Sequence, residues 1–144
     1  MALIFDTKVA LFERLKLVVP AGTQCTFAEK GDTNRRRQVF LGSTTDDDMQ
    51  AIAFRDGPKK PTSITGYVEV HALNITPGDP VSAERGVYEL RDAIAEACSQ
   101  LDRTAVTGLV DVRPESATVD TAETTDGAYS ALTIRVRVRG RVTQ

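Results

Sequence analysis

Residues 134–141 read Ile-Arg-Val-Arg-Val-Arg-Gly-Arg. Strict alternation of this kind has the two-residue period of a β-strand and does not fit a helix. It sets Arg135, Arg137, Arg139 and Arg141 on one face, and Ile134, Val136, Val138 and Gly140 on the other. The fold must therefore contain a sheet that is apolar on one side and tolerates four guanidiniums on the other. Successive arginines on such a face stand about 6.6 Å apart. In water each neighbouring pair repels by about 0.6 kcal/mol, whereas burial without partners costs several kcal/mol per ion. The arginine face is thus wet, matched by acids, or turned toward a polyanion.

The nearest supply of acids is the segment just before it. Residues 102–126 hold six acids (Asp102, Asp111, Glu115, Asp120, Glu123, Asp126) against Arg103 and Arg113, while residues 127–144 hold four arginines and no acid. Adjacent segments of opposite sign suit self-association as well as a foreign partner. Glu115, Asp120 and Glu123 are the candidate acidic counterparts, on this chain or on a neighbour. Thirteen of the eighteen basic residues are Arg, the side chain favoured in paired and partly buried contacts. A net charge of −2 argues against a dedicated DNA-binding domain.

The rest of the chain supplies what packs on the apolar side. Phe5-Asp6 reads as a helix start, with Asp6 as cap and Phe5 as staple. Phe5, Val9, Phe12, Leu15 or Lys16, and Val19 follow at helical spacing until Pro20 and Gly22. Residues 25–31 and 36–41 read as strands. Residues 42–48 read as a turn and 50–54 as a return strand, which makes 36–54 a hairpin; 55–61 is loop by its Gly and Pro content. Residues 62–75 form a long strand with Ile64, Val68, Val70 and Ala72 on one face and Tyr67, Glu69, His71 and Leu73 on the other. Asp79 and Pro80 open a second helix to about residue 102, with Val87, Leu90, Ile94, Cys98 and Leu101 as its stripe. Three strands follow, 106–112, 117–122 and 129–142, the last two joined through the Asp126-Gly127 turn. This order predicts one α+β domain over residues 1–144, with an antiparallel or mixed sheet, two helices on one face, and a hairpin-and-loop extension at about 36–61.

No residue pattern announces catalysis, a cofactor or a metal. Neither G-x-x-x-x-G-K-[ST] nor G-x-G-x-x-G occurs. Two cysteines, Cys25 and Cys98, are too few for a disulfide framework or a cysteine zinc site, and Cys98 lies on a helix stripe as a small hydrophobe. His71 shares a strand face with Glu69, the one pairing from which a small enzyme would be built, yet no nucleophile accompanies it. A structural role is the expectation. Asp46-Asp47-Asp48 reads as a solvated loop tip and Arg35-Arg36-Arg37 as a strand edge or subunit contact. Asn74-Ile75-Thr76 matches a glycosylation sequon, but Pro77 follows and no secretory signal is expected from a start that meets Asp6 without a basic region. No apolar run approaches the 18 residues of a membrane helix.

The order of parts resembles a known family. A first helix leads through a hairpin to the strand Gly66-Tyr67-Val68-Glu69-Val70-His71-Ala72. After a polar break comes the amphipathic helix Ser82-Ala83-Glu84-Arg85-Gly86-Val87-Tyr88-Glu89-Leu90-Arg91. The chain closes on Asp126-Gly127-Ala128-Tyr129 and Thr133-Ile134-Arg135-Val136-Arg137-Val138. Over about residues 5–142 this resembles the tail terminator (tail completion) proteins of siphovirus-type phages. The resemblance implies a virion structural protein of the tail-neck region rather than an enzyme, without cofactor. It implies a homo-oligomeric ring, expected as a hexamer, that ends tail-tube growth. Its implied partners are the tail tube protein and a head-completion or connector protein, with DNA passing through the opening without sequence-specific binding. Another head–tail connector subunit, or a small DNA-binding module using the arginine face, are the alternatives. In the ring, Arg135, Arg137, Arg139 and Arg141 are interface or lumen candidates.

Overall fold

The computed structural model describes residues 3–30, 36–45, 62–125 and 127–142. Helix α1 spans Leu3–Val18, strand β1 Gln24–Thr26, β2 Arg37–Thr45, β3 Thr62–Thr76, helix α2 Pro80–Gln100, β4 Leu109–Thr124 and β5 Gly127–Val142. A 3₁₀ turn, Arg103–Ala105, precedes β4. The five strands form one sheet in the order β1-β2-β3-β5-β4. β1 runs parallel to β2 and every other pair is antiparallel, so the fold is α+β with a mixed sheet, as the sequence implies.

Both helices cover the same sheet face, because that face carries the alternate aliphatics. Ile64, Val68, Val70 and Ala72 of β3 and Leu132, Ile134, Val136 and Val138 of β5 are buried there. Val87, Leu90, Ile94, Ala97 and Cys98 of α2 close over them. Asp79 caps α2 as expected, accepting from the Ser82 backbone N–H. The Asn74 amide donates to the Ala83 carbonyl at 2.9 Å and so fixes α2 to β3. Gly66 lets α1 approach: a Cβ there would meet the Ile4 side chain and the Thr45 carbonyl at 2.7 Å.

Five expectations need correction. Helix α1 begins at Leu3, so Asp6 lies in its first turn and does not cap it. Its buried stripe is Leu3, Ile4, Thr7, Leu11 and Leu15, and Phe5 is 52% exposed. Of the expected stripe of Phe5, Val9, Phe12, Leu15 or Lys16, and Val19, only Leu15 belongs to that buried set; at 100° per residue, Phe5, Val9, Phe12 and Lys16 lie about 140° away. The chain carries two apolar stripes on α1, and spacing alone could not say which meets the sheet. Residues 42–45, read as turn, extend β2 past an irregularity between Leu41 and Thr44. The predicted strands 106–112 and 117–122 are one strand, β4, which runs through Pro114. Proline survives there because β4 is an edge strand and a bulge between Pro114 and Ser116 absorbs the break,. The strand at 25–31 shrinks to Gln24–Thr26. The expected return strand 50–54, the 55–61 loop, the Asp46–Asp48 run and Arg35 fall outside the described residues.

Candidate functional site

The sheet face not covered by helices is built by β3, β5 and β4. Directly opposed residues of antiparallel strands share a face. Arg135 therefore lies beside Glu69, Arg137 beside Tyr67, Arg139 beside Thr65 and Arg141 beside Ser63. From the other side β4 sets Asp111 against Arg139 and Arg113 against Arg137. The face thus carries five arginines, four from β5 and Arg113 from β4.

Their electrostatics centre on Asp111. Its side chain is 12% exposed and lies 3.1 Å from Arg113 Nε, 3.8 Å from Arg139 Nε and 4.0 Å from an Arg137 terminal nitrogen. One carboxylate thus serves three guanidiniums. Arg135 takes another route, its guanidinium carbon 3.6 Å from the centre of the Tyr67 ring, a cation–π contact. Arg137 Nε is buried without a hydrogen-bond partner among the described residues. Positive charge on this face therefore exceeds what the face itself neutralises.

The three acids singled out from the sequence are placed elsewhere. Glu115 sits in the β4 bulge, between the pairs Pro114–Val136 and Ser116–Arg135. Asp120 opposes Ala131 on the arginine side, while Glu123 opposes buried Ala128 and so lies on the helix side. Among the described residues, none of the three makes an ion pair with the arginines. The acid that does, Asp111, was visible only as one of six in its segment. Its placement follows from the register of β4 against β5, and the bulge hides that register from a reading of the sequence.

His71 is occupied by structure. Its Nδ1 shares a 3.0 Å hydrogen bond with Thr133 Oγ1, its Nε2 lies 3.4 Å from Glu69, and its ring stacks on Phe40 at 5.2 Å. Burial pushes the Cys98 thiol up to about 12 and the Cys25 thiol to about 11, which suppresses the thiolate. Among the described residues no group of three or more His, Cys, Asp or Glu side chains converges as a metal site. The arrangement is suited to charge display and contact.

No protein-family model matches this chain, and no curated protein matches it. Among solved structures, a chain from the virion of a native gene transfer agent (GTA) particle matches with a TM-score of 0.60 at 17% identity. The match covers 96% of this chain and 98% of that one. The two chains share a fold from end to end. A chain from the PVC sheath/tube terminator of an extracellular contractile injection system, in its extended state, matches with a TM-score of 0.42 at 13% identity, covering 98% of this chain and 58% of that one.

Proposed function

We propose that this chain is a virion structural protein of the tail terminator type, acting at the head-proximal end of a tail. The observation that carries this reading is the end-to-end fold shared with a virion chain. The order of sequence parts points the same way. In this reading copies assemble into a ring, six-membered by the family resemblance, that seats on the last layer of tail-tube subunits. The ring binds the open tube end better than another tube subunit does, stops growth, and presents a new surface to a head-completion or connector protein.

The arginine face serves this role as an interface or lumen surface. Arg135, Arg137, Arg139 and Arg141 present more positive charge than Asp111 offsets. Glu115, Asp120 and Glu123 are left for the basic groups of a neighbouring copy. DNA that must slide through a ring cannot be held tightly. A chain with net charge −2, whose arginines are partly neutralised from within, fits that need, since binding strengthens with every phosphate contact. No catalytic step enters this reading.

The test is to polymerise tail-tube protein with and without this chain. Tubes that stop short and carry extra density at one end are expected. Tubes of unchanged length with bare ends refute a terminator role, and binding to a connector ring instead moves the protein to the other side of the neck.

A further inference from the structure

Charge on the arginine face gathers at the C-terminal end of β5. There Arg137, Arg139 and Arg141 lie beside Tyr67, Thr65 and Ser63 of β3, none of which is acidic or basic. β4 adds Arg113 and Asp111. Among the described residues this end sets four guanidiniums against one carboxylate, a net +3. Glu69 and Asp120 share the face but lie further along it, beside Arg135 and Ala131.

Arg141 is the least occupied of the four. Its side chain is exposed and has no hydrogen bond, ion pair or ring contact among the described residues. Its backbone, by contrast, is fixed on both sides: it pairs with Ser63 of β3, and its N–H donates to the Gly108 carbonyl at 2.8 Å. A free cation thus stands on a rigid root. Arg139 is little better satisfied, since the Asp111 carboxylate 3.8 Å away is shared with Arg113 and Arg137.

These two arginines line a cleft of about 250 Å³, together with Ser63, Thr65 and Val110, and Gly140 contributes to its floor. A water takes about 30 Å³ in the liquid, so the cleft has room for a phosphate group and part of its hydration. Its polar side chains are two guanidiniums and two hydroxyls. All of them can donate hydrogen bonds, and arginine forks match phosphate oxygens. Arginine with Ser, Thr and Tyr is also the set of side chains that commonly contacts nucleic-acid backbones.

We propose that this end of the sheet face is a phosphate-binding site whose ligand is the phosphodiester backbone of a nucleic acid, one phosphate seating between Arg139 and Arg141. A single ion would use the cleft and leave the rest of the row idle. The cationic row continues through Arg137, whose Nε is buried without a partner among the described residues, to Arg135, a length of about 20 Å. A chain of repeating phosphates uses all of it. The grip is weak and sequence-independent, because Arg137 and Arg139 stay partly in water and no base-reading element accompanies them. The site belongs to a single copy and does not depend on the ring. Within a ring it sets the arginine face toward the opening.

Fluorescence anisotropy with a labelled DNA duplex, titrated with the full chain from 20 to 200 mM NaCl, tests it. Binding is expected at 20 mM and should fall steeply with salt. Arg141→Gln should melt as wild type does, lower the salt slope by about 1, and weaken binding about 30-fold at 20 mM, the worth of one phosphate at a slope of about −0.9 relative to 1 M salt. Asp111→Asn should instead bind about fivefold more tightly, since a unit charge about 4 Å away in water counts for that much. Arg85→Gln removes the same charge from α2, on the other side of the sheet, and should cost far less than Arg141→Gln. No binding at 20 mM salt overturns the site, and so does an equal loss in Arg85→Gln. Millimolar inorganic phosphate that raises Tm while DNA fails to bind assigns the cleft to the free ion and overturns the nucleic-acid ligand. Polyglutamate that displaces the duplex as well as unlabelled DNA of equal charge overturns it in favour of an acidic protein. Each of these failures leaves the terminator reading standing, because tube polymerisation tests that reading separately.

Discussion

Replacing Asp111 with Asn keeps the shape of the side chain and removes the charge that three arginines share. Arg137 and Arg139 lie 4.0 and 3.8 Å from it, with side chains 33% and 50% exposed. In water a unit-charge pair at that distance is worth about 1 kcal/mol, and exposed pairs measure about 0.2–1 kcal/mol, so about 0.7 kcal/mol each is reasonable. Arg113 is nearer, at 3.1 Å, but 70% exposed, so about 0.5 kcal/mol suffices there. The sum is about 2 kcal/mol, or a fall in Tm of about 4–8 °C for a domain of this size. The loss must also respond to salt. Screening shortens from about 10 Å at 0.1 M to about 3 Å at 1 M, so the difference from wild type should shrink by half or more in 1 M NaCl. Thermal and urea melts at both salt concentrations read this directly. A double-mutant cycle with Arg139→Gln should return a coupling of about 0.5–1 kcal/mol. Asp111→Asn melting within 1 °C of wild type would refute the reasoning, and so would a loss that salt leaves unchanged.

His71→Ala removes the Phe40 stack and the Thr133 hydrogen bond; it should cost about 1–2 kcal/mol in a urea melt and leave assembly intact, and loss of function in a folded variant would reopen an enzymatic role. Gly66→Ala should destabilise by about 1–3 kcal/mol, because its Cβ meets Ile4 and the Thr45 carbonyl, and circular dichroism melts check it. Hydrogen bonds from Ser82 hold Asp79 below the usual carboxylate range; its contribution is therefore present above the unfolded value of about 3.9 and lost as pH falls through the folded one. Asp79→Asn should flatten that part of the acid limb, and identical limbs would contradict it. With its thiol pushed up to about 12, buried Cys98 should resist thiol reagents at pH 8 until denaturant is added, and rapid labelling of Cys98 in the native chain would show the burial to be wrong.

Much of the fold is legible in the sequence because local and long-range signals agree. The alternation in β5 fixes both which face is buried and which carries charge. Asp79, Pro80 and the Val87–Leu90–Ile94–Cys98 stripe locate α2 for the same reason. Where a segment satisfies two patterns, the sequence does not choose between them. α1 has two apolar stripes, and only the sheet selects Leu3, Leu11 and Leu15 over Phe5 and Phe12. Pro114 normally ends a strand, and only its edge position lets β4 continue. The site was half legible. The arginine face follows from period two, but its acid does not. The bulge between Pro114 and Ser116 changes which β4 residues share that face, so Asp111 rather than Glu115, Asp120 or Glu123 meets the guanidiniums.

The most direct measurement of the central claim is the assembly state of the purified protein across a concentration series. Native mass spectrometry gives the copy number, and negative-stain images of the same samples give the shape. A six-membered ring with a central opening, growing from smaller species as concentration rises, is the predicted result. A dimer stable at every concentration contradicts it, because a two-fold contact uses one surface twice and closes before a ring can form.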